Sequence, residues 1–327
     1  MSDFPKCYAI INKDDVSRSE STSGGAFTLF AASVIQQGGI VCGAKFSDGI
    51  RTVSHQCVES FAEVRTLQKS KYVESDISYA IKMCCNALKE GRKVLFVGTP
   101  CQVAILHNIC GNSEALMTCD LVCHGVPTYK SWASYLSYIE ERVGEKAIKV
   151  NFRCKRWGWN IPLTKFEFEK GKQWVHLSGI DPYMYAFYRG YSLRSSCLGC
   201  ATLKNNRPGD LTLGDCWHIG KFSKDMDDNK GTSLVMINTA KGEDFFQSAI
   251  TQSNAKAKLY SYEIAKENNT ALSHPAIVDM EKRILFERML CRGDNSFWER
   301  IIPLNVRIRN YLVSFSKYVL CGLHFPI

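Results

Sequence analysis

Nowhere does this 327-residue chain run apolar for long enough to cross a bilayer. No basic segment leads into an apolar one at its start, and no long low-complexity tract interrupts it. These absences argue against a membrane span and a secretory leader, and the cytoplasm is the expected compartment. Charge is not concentrated either. The net charge is +9, but Lys and Arg are dispersed and no nucleic-acid-binding motif accompanies them. Nucleic acid is therefore not an expected partner, and anionic cofactors or an acidic partner protein explain the excess as well. Hydrophobic residues at 45% and charged residues at 22% are ordinary for a folded soluble chain. The length allows one large domain, or a domain with a second lobe.

Cysteine is what the chain has in abundance, with fifteen. A reducing compartment keeps thiols free, and a chain this long needs no disulfide framework, so metal or redox use is expected. Six of them, Cys42, Cys57, Cys84, Cys85, Cys110 and Cys119, lie inside apolar runs, where cysteine acts as a small hydrophobe.

Two cysteines stand differently. Val94 to Val97 and Leu116 to Val122 are short apolar runs bounded by Gly or Pro, with a segment of helical spacing between them. They read as adjacent buried parallel strands of a βαβ unit. Each ends in a turn carrying a cysteine, Cys101 and Cys123, which places both thiols on the carboxyl edge where open parallel sheets bind ligands. Pro100 favours a first helical turn, so Cys101 is expected at a helix N-terminus, which stabilises a thiolate. Further along, Cys197-x-x-Cys200 is half of a metal site. Alone it is weak, but with Cys101 and Cys123 it completes four thiolate ligands, the number that a cubane iron–sulfur cluster or a structural zinc requires.

Elsewhere the signals are mixed. Ser19 to Gly25 opens an apolar helix from Ala26, and its hydroxyls and glycines suit either phosphate binding or ordinary helix capping. Ile40 to Phe46 and Thr52 to Glu59 read as a hairpin. Lys71 and Tyr72 lie in a polar-basic loop, as ligand contacts or as solvated residues. The turn Arg156-Trp157-Gly158-Trp159 reads as a satellite core, or as a wall for a flat cofactor. Gly214 to Trp217 follows a short strand and could line the same crevice as the cysteines. The tail has helical spacing over Pro275 to Leu290 and Phe297 to Tyr318. Tyr311 to Ile327 is apolar enough for a membrane surface, although docking onto the protein's own core is the expected outcome.

Six ordered motifs then carry a resemblance: Ser-Thr-Ser-Gly-Gly, Lys-Ser-Lys-Tyr-Val, Gly-Thr-Pro-Cys-Gln, Cys-His-Gly-Val-Pro, Ser-Cys-x-x-Cys and Asp-Leu-Thr-Leu-Gly-Asp-x-Trp. Over roughly residues 7 to 240 the chain resembles the beta subunit of coenzyme F420-reducing hydrogenase and dehydrogenase, most closely a bacterial branch associated with surface polysaccharide synthesis. The resemblance implies an α/β fold with a mixed, partly parallel sheet flanked by helices. It also implies FAD beside one cubane iron–sulfur cluster in a domain over 1–240, with a helical C-terminal extension over 241–327. It assigns Cys101, Cys123, Cys197 and Cys200 to the cluster, and Thr22, Ser23, Gly24 and Gly25 to the FAD pyrophosphate. Lys71, Tyr72 and Thr99 fall near the flavin. His124 is then a catalytic candidate as a proton relay or a hydrogen-bond donor to a cluster sulfur, against the common structural role of a lone turn histidine.

The implied activity is electron transfer between a one-electron partner and a two-electron carrier or small, sugar-linked substrate. F420 itself is one possible carrier. Two departures stand out. No ferredoxin-like cysteine repeat precedes Cys7, so a separate ferredoxin or other redox partner is expected. Cys216 stands where relatives carry an aromatic residue and competes as a ligand. The alternatives are a zinc-binding structural or adaptor protein on the same four thiolates, and an electron-transfer scaffold without turnover that docks a partner through its basic C-terminal helices.

Overall fold

The computed structural model describes residues 5–203 and 207–320. Its strands are Lys6–Asn12 (β1), Ile40–Ser47 (β2), Thr52–Val58 (β3), Ser75–Asp76 (β4), Val94–Gly98 (β5) and Leu116–Leu121 (β6). Ala147–Cys154 (β7), Leu163–Phe168 (β8), Gln173–Leu177 (β9), Leu211–Asp215 (β10), Ser233–Ile237 (β11) and Ala255–Tyr260 (β12) follow. The helices are Asp15–Ser19 (α1), Ala26–Gln36 (α2), Phe61–Leu67 (α3), Ser78–Lys89 (α4), Pro100–Cys110 (α5) and Tyr129–Val143 (α6). After them come Pro182–Tyr188 (α7), Ala240–Thr251 (α8), Tyr262–Asn268 (α9), Met280–Arg292 (α10) and Leu304–Leu320 (α11).

Nine strands form one mixed sheet in the order β12-β1-β11-β10-β6-β5-β2-β3-β4. Its centre, β10-β6-β5-β2, is parallel, and β6 and β5 are neighbours as the βαβ reading requires. Alternation divides the side chains of β5: Leu95 and Val97 pack with α2 and α8, while Val94 and Phe96 pack with α4 and α5. Both faces are thus covered, which explains why the central strands read as nearly continuous apolar runs.

The antiparallel sheet β7-β8-β9 and helices α6, α7 and α10 make a second core, dominated by Trp132, Tyr135, Phe152, Phe166, Tyr183 and Trp298. The tip of the β2–β3 hairpin enters this core: Trp132 donates its indole N–H to the Ile50 carbonyl at 2.8 Å. Each large apolar side chain buried there contributes roughly 1.5–3 kcal/mol.

Three expectations are corrected. Cys42, Cys57, Cys85 and Cys110 are not free small hydrophobes, because Cys42 is bonded to Cys57 and Cys85 to Cys110. Hairpin register sets Cys42 directly opposite Cys57, with Cα atoms 4.1 Å apart, and α4 lies beside α5 with Cα atoms of the second pair 5.5 Å apart. Cys84 and Cys119 are free and buried, as expected. The sheet also passes the boundary at residue 240, since β12 pairs with β1, and the helical part starts only at Tyr262. Finally, residues 311–316 do not dock on the core through their apolar side chains: Tyr311, Leu312, Val313 and Phe315 are exposed. The helix meets the body instead through Val306 and Asn310. Residues 321–327 lie outside the described residues. No helix among the described residues is long and apolar enough to cross a membrane.

Candidate functional site

Cys101 sits where the βαβ geometry places it, one residue inside α5, with Pro100 at the first helical position. Its turn is held by a directional chain of hydrogen bonds. The Thr99 backbone N–H donates to Gln102 Oε1 at 2.9 Å, and Gln102 Nε2 donates to Ser75 Oγ at 3.0 Å. Ser75 is 2.9 Å from His55 Nδ1, and His55 Nε2 is 3.1 Å from the Val97 carbonyl. A carbonyl accepts only, so Nε2 carries the proton and Ser75 donates to Nδ1. Burial pushes the His55 pKa down to about 4, in keeping with this neutral tautomer. The Cβ that Gly98 lacks would meet Phe96, Gln102 and His55, so only glycine admits this network. Thr99 Oγ1 lies 3.2 Å from the Cys101 sulfur.

Cys123 follows β6, and its loop is stitched to the segment before Cys197. Thr128 donates its N–H to the Ser192 carbonyl at 2.9 Å, Arg194 to the Val126 carbonyl at 2.8 Å, and Val126 to the Cys197 sulfur at 3.4 Å. Cys200 follows on the same short turn. Beyond it, Arg207 returns the chain to β6 by donating to the buried Asp120 carboxylate at 2.6 Å and to the Leu121 carbonyl at 2.6 Å.

The four thiols consequently act on one another. Burial pushes the Cys123 thiol up to about 12; a Gly125 backbone N–H opposes this, and Cys197, Cys101 and Cys200 add to it. The Cys197 thiol is raised by burial too, against the Val126 N–H, with Cys101 and Cys200 adding. Thiolates gathered this way repel one another, and a cationic metal centre removes that penalty. Their spacing bears on its size. A tetrahedral zinc with bonds near 2.3 Å holds its sulfurs about 3.8 Å apart. Among the described residues, no three of these four sulfurs lie within 4.8 Å of one another; the trio that does is Cys42, Cys57 and Cys84. In that trio two sulfurs are bonded to each other, leaving only the buried Cys84 as a thiol. Cys216 takes no part in the crevice. It is buried in a separate apolar cluster with Cys7 and Ile219, and burial raises its thiol.

Beside the cysteines runs an aromatic and cationic wall. His124 packs edge-on to Phe187 at 5.1 Å, and Phe187 packs on Tyr72 at 4.7 Å. The Arg153 guanidinium lies over Trp217 at 4.8 Å and 3.3 Å from Asp215, and Trp217 stacks on Trp159 at 4.8 Å. His124 Nε2, Arg153 Nη2 and Trp159 Nε1 are buried without a hydrogen-bond partner among the described residues. Such orphaned donors and acceptors leave hydrogen-bonding capacity for water or a bound group. Burial lowers the His124 pKa, opposed by the Phe187 and Tyr188 carbonyls. Two clefts, of about 450 and 410 Å³, lie elsewhere and are lined by none of the cysteines.

The loop residues assigned to the flavin have intramolecular partners. Thr22 Oγ1 accepts the Ser70 N–H at 3.0 Å, joining the Ser-Thr-Ser-Gly-Gly loop to the Lys-Ser-Lys-Tyr-Val loop. Ser23 Oγ donates to the Thr232 carbonyl at 2.9 Å. Gly24 is needed because a Cβ would strike the Ile10 carbonyl and the Ser233 amide, and Gly25, at φ +90°, caps α2 without a side-chain bond. Lys71 caps α3 by donating to the Leu67 and Gln68 carbonyls at 2.8 and 2.6 Å. Its pKa is brought down to about 7 by burial, with Lys69 and Lys45 adding.

Sequence reasoning missed Arg153, Lys155, His55 and Ser75. A bulge between Asn151 and Cys154 turns the consecutive residues Phe152 and Arg153 both inward, which a two-residue period does not foresee. Lys155 Nζ donates to the carbonyls of Arg18, Ser23 and Lys230 at 3.0, 2.6 and 2.8 Å and so fixes the glycine loop. The alternation of Arg, Lys and Trp over residues 153–159 was the available signal.

A family model for the carboxyl-terminal part of the coenzyme F420 hydrogenase/dehydrogenase beta subunit matches residues 91–261. Among solved structures, a chain of the F420-reducing NiFe hydrogenase complex from Methanosarcina barkeri is similar, with a TM-score of 0.54 and 16% identity, covering 90% of this chain and 91% of that one. At this identity the likeness is one of fold. No curated protein matches.

Proposed function

Since this chain belongs to the family of coenzyme F420 hydrogenase/dehydrogenase beta subunits, we propose that it is an iron–sulfur flavoprotein oxidoreductase. One cubane cluster would be held by Cys101, Cys123, Cys197 and Cys200, with FAD alongside. The observation that carries this reading is the convergence of four thiols, from the turns after β5 and β6 and the Cys197–Cys200 turn, that act on one another. When bound, the flavin exchanges either one electron or two, which lets single-electron flow through the cluster meet hydride chemistry.

The chain's own residues have definable tasks. The chain from Gln102 through Ser75 to His55 keeps the Cys101 turn in one geometry. The exposed Cys101 edge offers a separate ferredoxin or other redox partner an approach, while the half-buried Cys123 lies on the inner side. Tyr72, Phe187, Trp217 and Arg153 suit a flat anionic ring system, and Thr99 fixes the turn nearest to it. Thr22, Ser23, Gly24 and Gly25 would meet the pyrophosphate through backbone N–H groups, because their hydroxyls are already engaged. Lys71 acts at one remove by fixing the loop that carries Tyr72. His124 Nε2, buried and unpartnered, would hold or pass the proton that accompanies electron transfer.

The two-electron partner would be F420 or another small carrier, or a sugar-linked substrate, in the cytoplasm. A dithionite titration of anaerobically purified protein tests this: broad visible absorption that bleaches and a releasable flavin are expected. A colourless protein would leave the zinc adaptor reading in its place.

A further inference from the structure

The C-terminal helix α11 is amphipathic in the wrong sense for a helix that packs on its own protein. Leu304, Ile308, Tyr311, Leu312 and Phe315 recur at i, i+4, i+7, i+8 and i+11 and share about 100° of arc, the pattern of a buried stripe. All five are exposed, Leu304 at 72% and Leu312 at 59%. The helix is anchored by a different face: Val306 packs on the aromatic core, and Asn310 donates to the Gly179 carbonyl at 2.8 Å. Arg307, itself bonded to the Glu299 carbonyl, borders the stripe on one side and the exposed Arg309 borders it on the other. From Arg300 to Ile327 the sequence holds four basic residues, Arg300, Arg307, Arg309 and Lys317, and no acidic one.

We propose that α11 is an interfacial helix that lays this chain on an anionic lipid surface. A stripe of leucine, isoleucine and aromatic side chains between arginines matches the boundary between acyl chains and headgroups, and the uncompensated positive charge selects negatively charged lipid. Tyr311 and Phe315 lie on the stripe, and tyrosine is favoured at headgroup depth. A protein partner would need acidic groups around an apolar groove, whereas a bilayer supplies both features over any area. This proposal stands apart from the redox reading, as it uses none of the crevice residues.

Flotation of the full chain with vesicles is the test. The wild type is expected to float with phosphatidylcholine–phosphatidylglycerol vesicles and to stay behind with phosphatidylcholine alone. The bound fraction should fall in about 1 M salt, where screening shortens to roughly 3 Å. Arg309→Glu should cut the partition at least about tenfold, and Ile308→Glu with Leu312→Glu should remove it. These side chains are exposed, so thermal melting should not change. Wild-type protein that stays behind with anionic vesicles overturns the proposal. So does equal flotation of the Ile308→Glu/Leu312→Glu variant, or a dimer in solution that this variant converts to monomer, since the stripe would then face a second copy.

Discussion

The layer beneath α4 and α5 and the crevice at the carboxyl ends of β5 and β6 are both built from cysteine, yet they treat sulfur in opposite ways. In the layer, Cys42, Cys57, Cys84, Cys85 and Cys110 come from neighbouring elements whose packing forces close contact, and four of the five are bonded in pairs. In the crevice, Cys101, Cys123, Cys197 and Cys200 come from three loops at strand or turn ends and remain thiols. The difference teaches that position relative to the strand ends, more than residue type or local hydrophobicity, decides whether a cysteine is closed in by packing or stays an open thiol. A sulfur inside the sandwich already has neighbours on every side. One at the carboxyl edge sits in a turn that backbone hydrogen bonds hold, as Val126 and Arg194 hold the turn of Cys197.

The largest effect should come from exchanging single sulfurs between the two regions. Serine at Cys101, Cys123, Cys197 or Cys200 should remove most of the iron from anaerobically purified protein, while Cys84→Ser should leave it at the wild-type level. Equal iron in Cys101→Ser and wild type would erase the distinction. Next is the tie that returns the chain from Cys200 to β6. Asp120→Ala leaves the Arg207 guanidinium, 12% exposed, without its carboxylate, and should cost about 3–5 kcal/mol in a urea titration. A loss below about 1 kcal/mol would mean that water replaces the pair.

The layer should answer to reductant where the crevice does not. Opening the 15-residue Cys42–Cys57 loop should lower stability by about 3 kcal/mol, with iron content unchanged. Iron lost in step with the disulfides would join the two regions that the fold keeps separate.

The smallest effect concerns pH. His55 is held neutral, its pKa down from 6.5 to about 4, so between those values the unfolded chain binds more protons and stability falls as pH falls. The loss reaches at most about 3 kcal/mol by pH 4. His55→Gln should make the slope shallower without flattening it, because burial brings His176 down to about 4 as well, with Arg142 and Arg307 adding. An unchanged slope in that variant would show that His55 is not the group responsible.

Much of this was legible in the residues. The β5–α5–β6 unit follows from two β-branched runs around a helical segment, and it alone locates Cys101 and Cys123. The β2–β3 hairpin and α2 are also visible as local patterns. What stayed hidden depends on register and on contacts distant in sequence. That Cys42 faces Cys57 requires the hairpin pairing, and that Arg153 points inward requires a bulge. Strands β1 and β12 belong to an antiparallel extension of the sheet with β12 at its edge, and no local signal shows that residues 255–260 return to pair with residues 7–12. The hydroxyls of Thr22 and Ser23 looked free to meet a phosphate because their partners, Ser70 and the Thr232 carbonyl, lie 48 and 209 residues away. The outward face of α11 was read as a docking face because a stripe of that spacing is the same whether a protein or a lipid covers it.

The central claim is that the crevice holds an inorganic cluster larger than one ion. Iron, acid-labile sulfide and zinc counted on the anaerobically purified wild-type chain test it most directly. The expected result is about four iron and four sulfide per chain and no zinc; one zinc per chain, with neither iron nor sulfide, would contradict it.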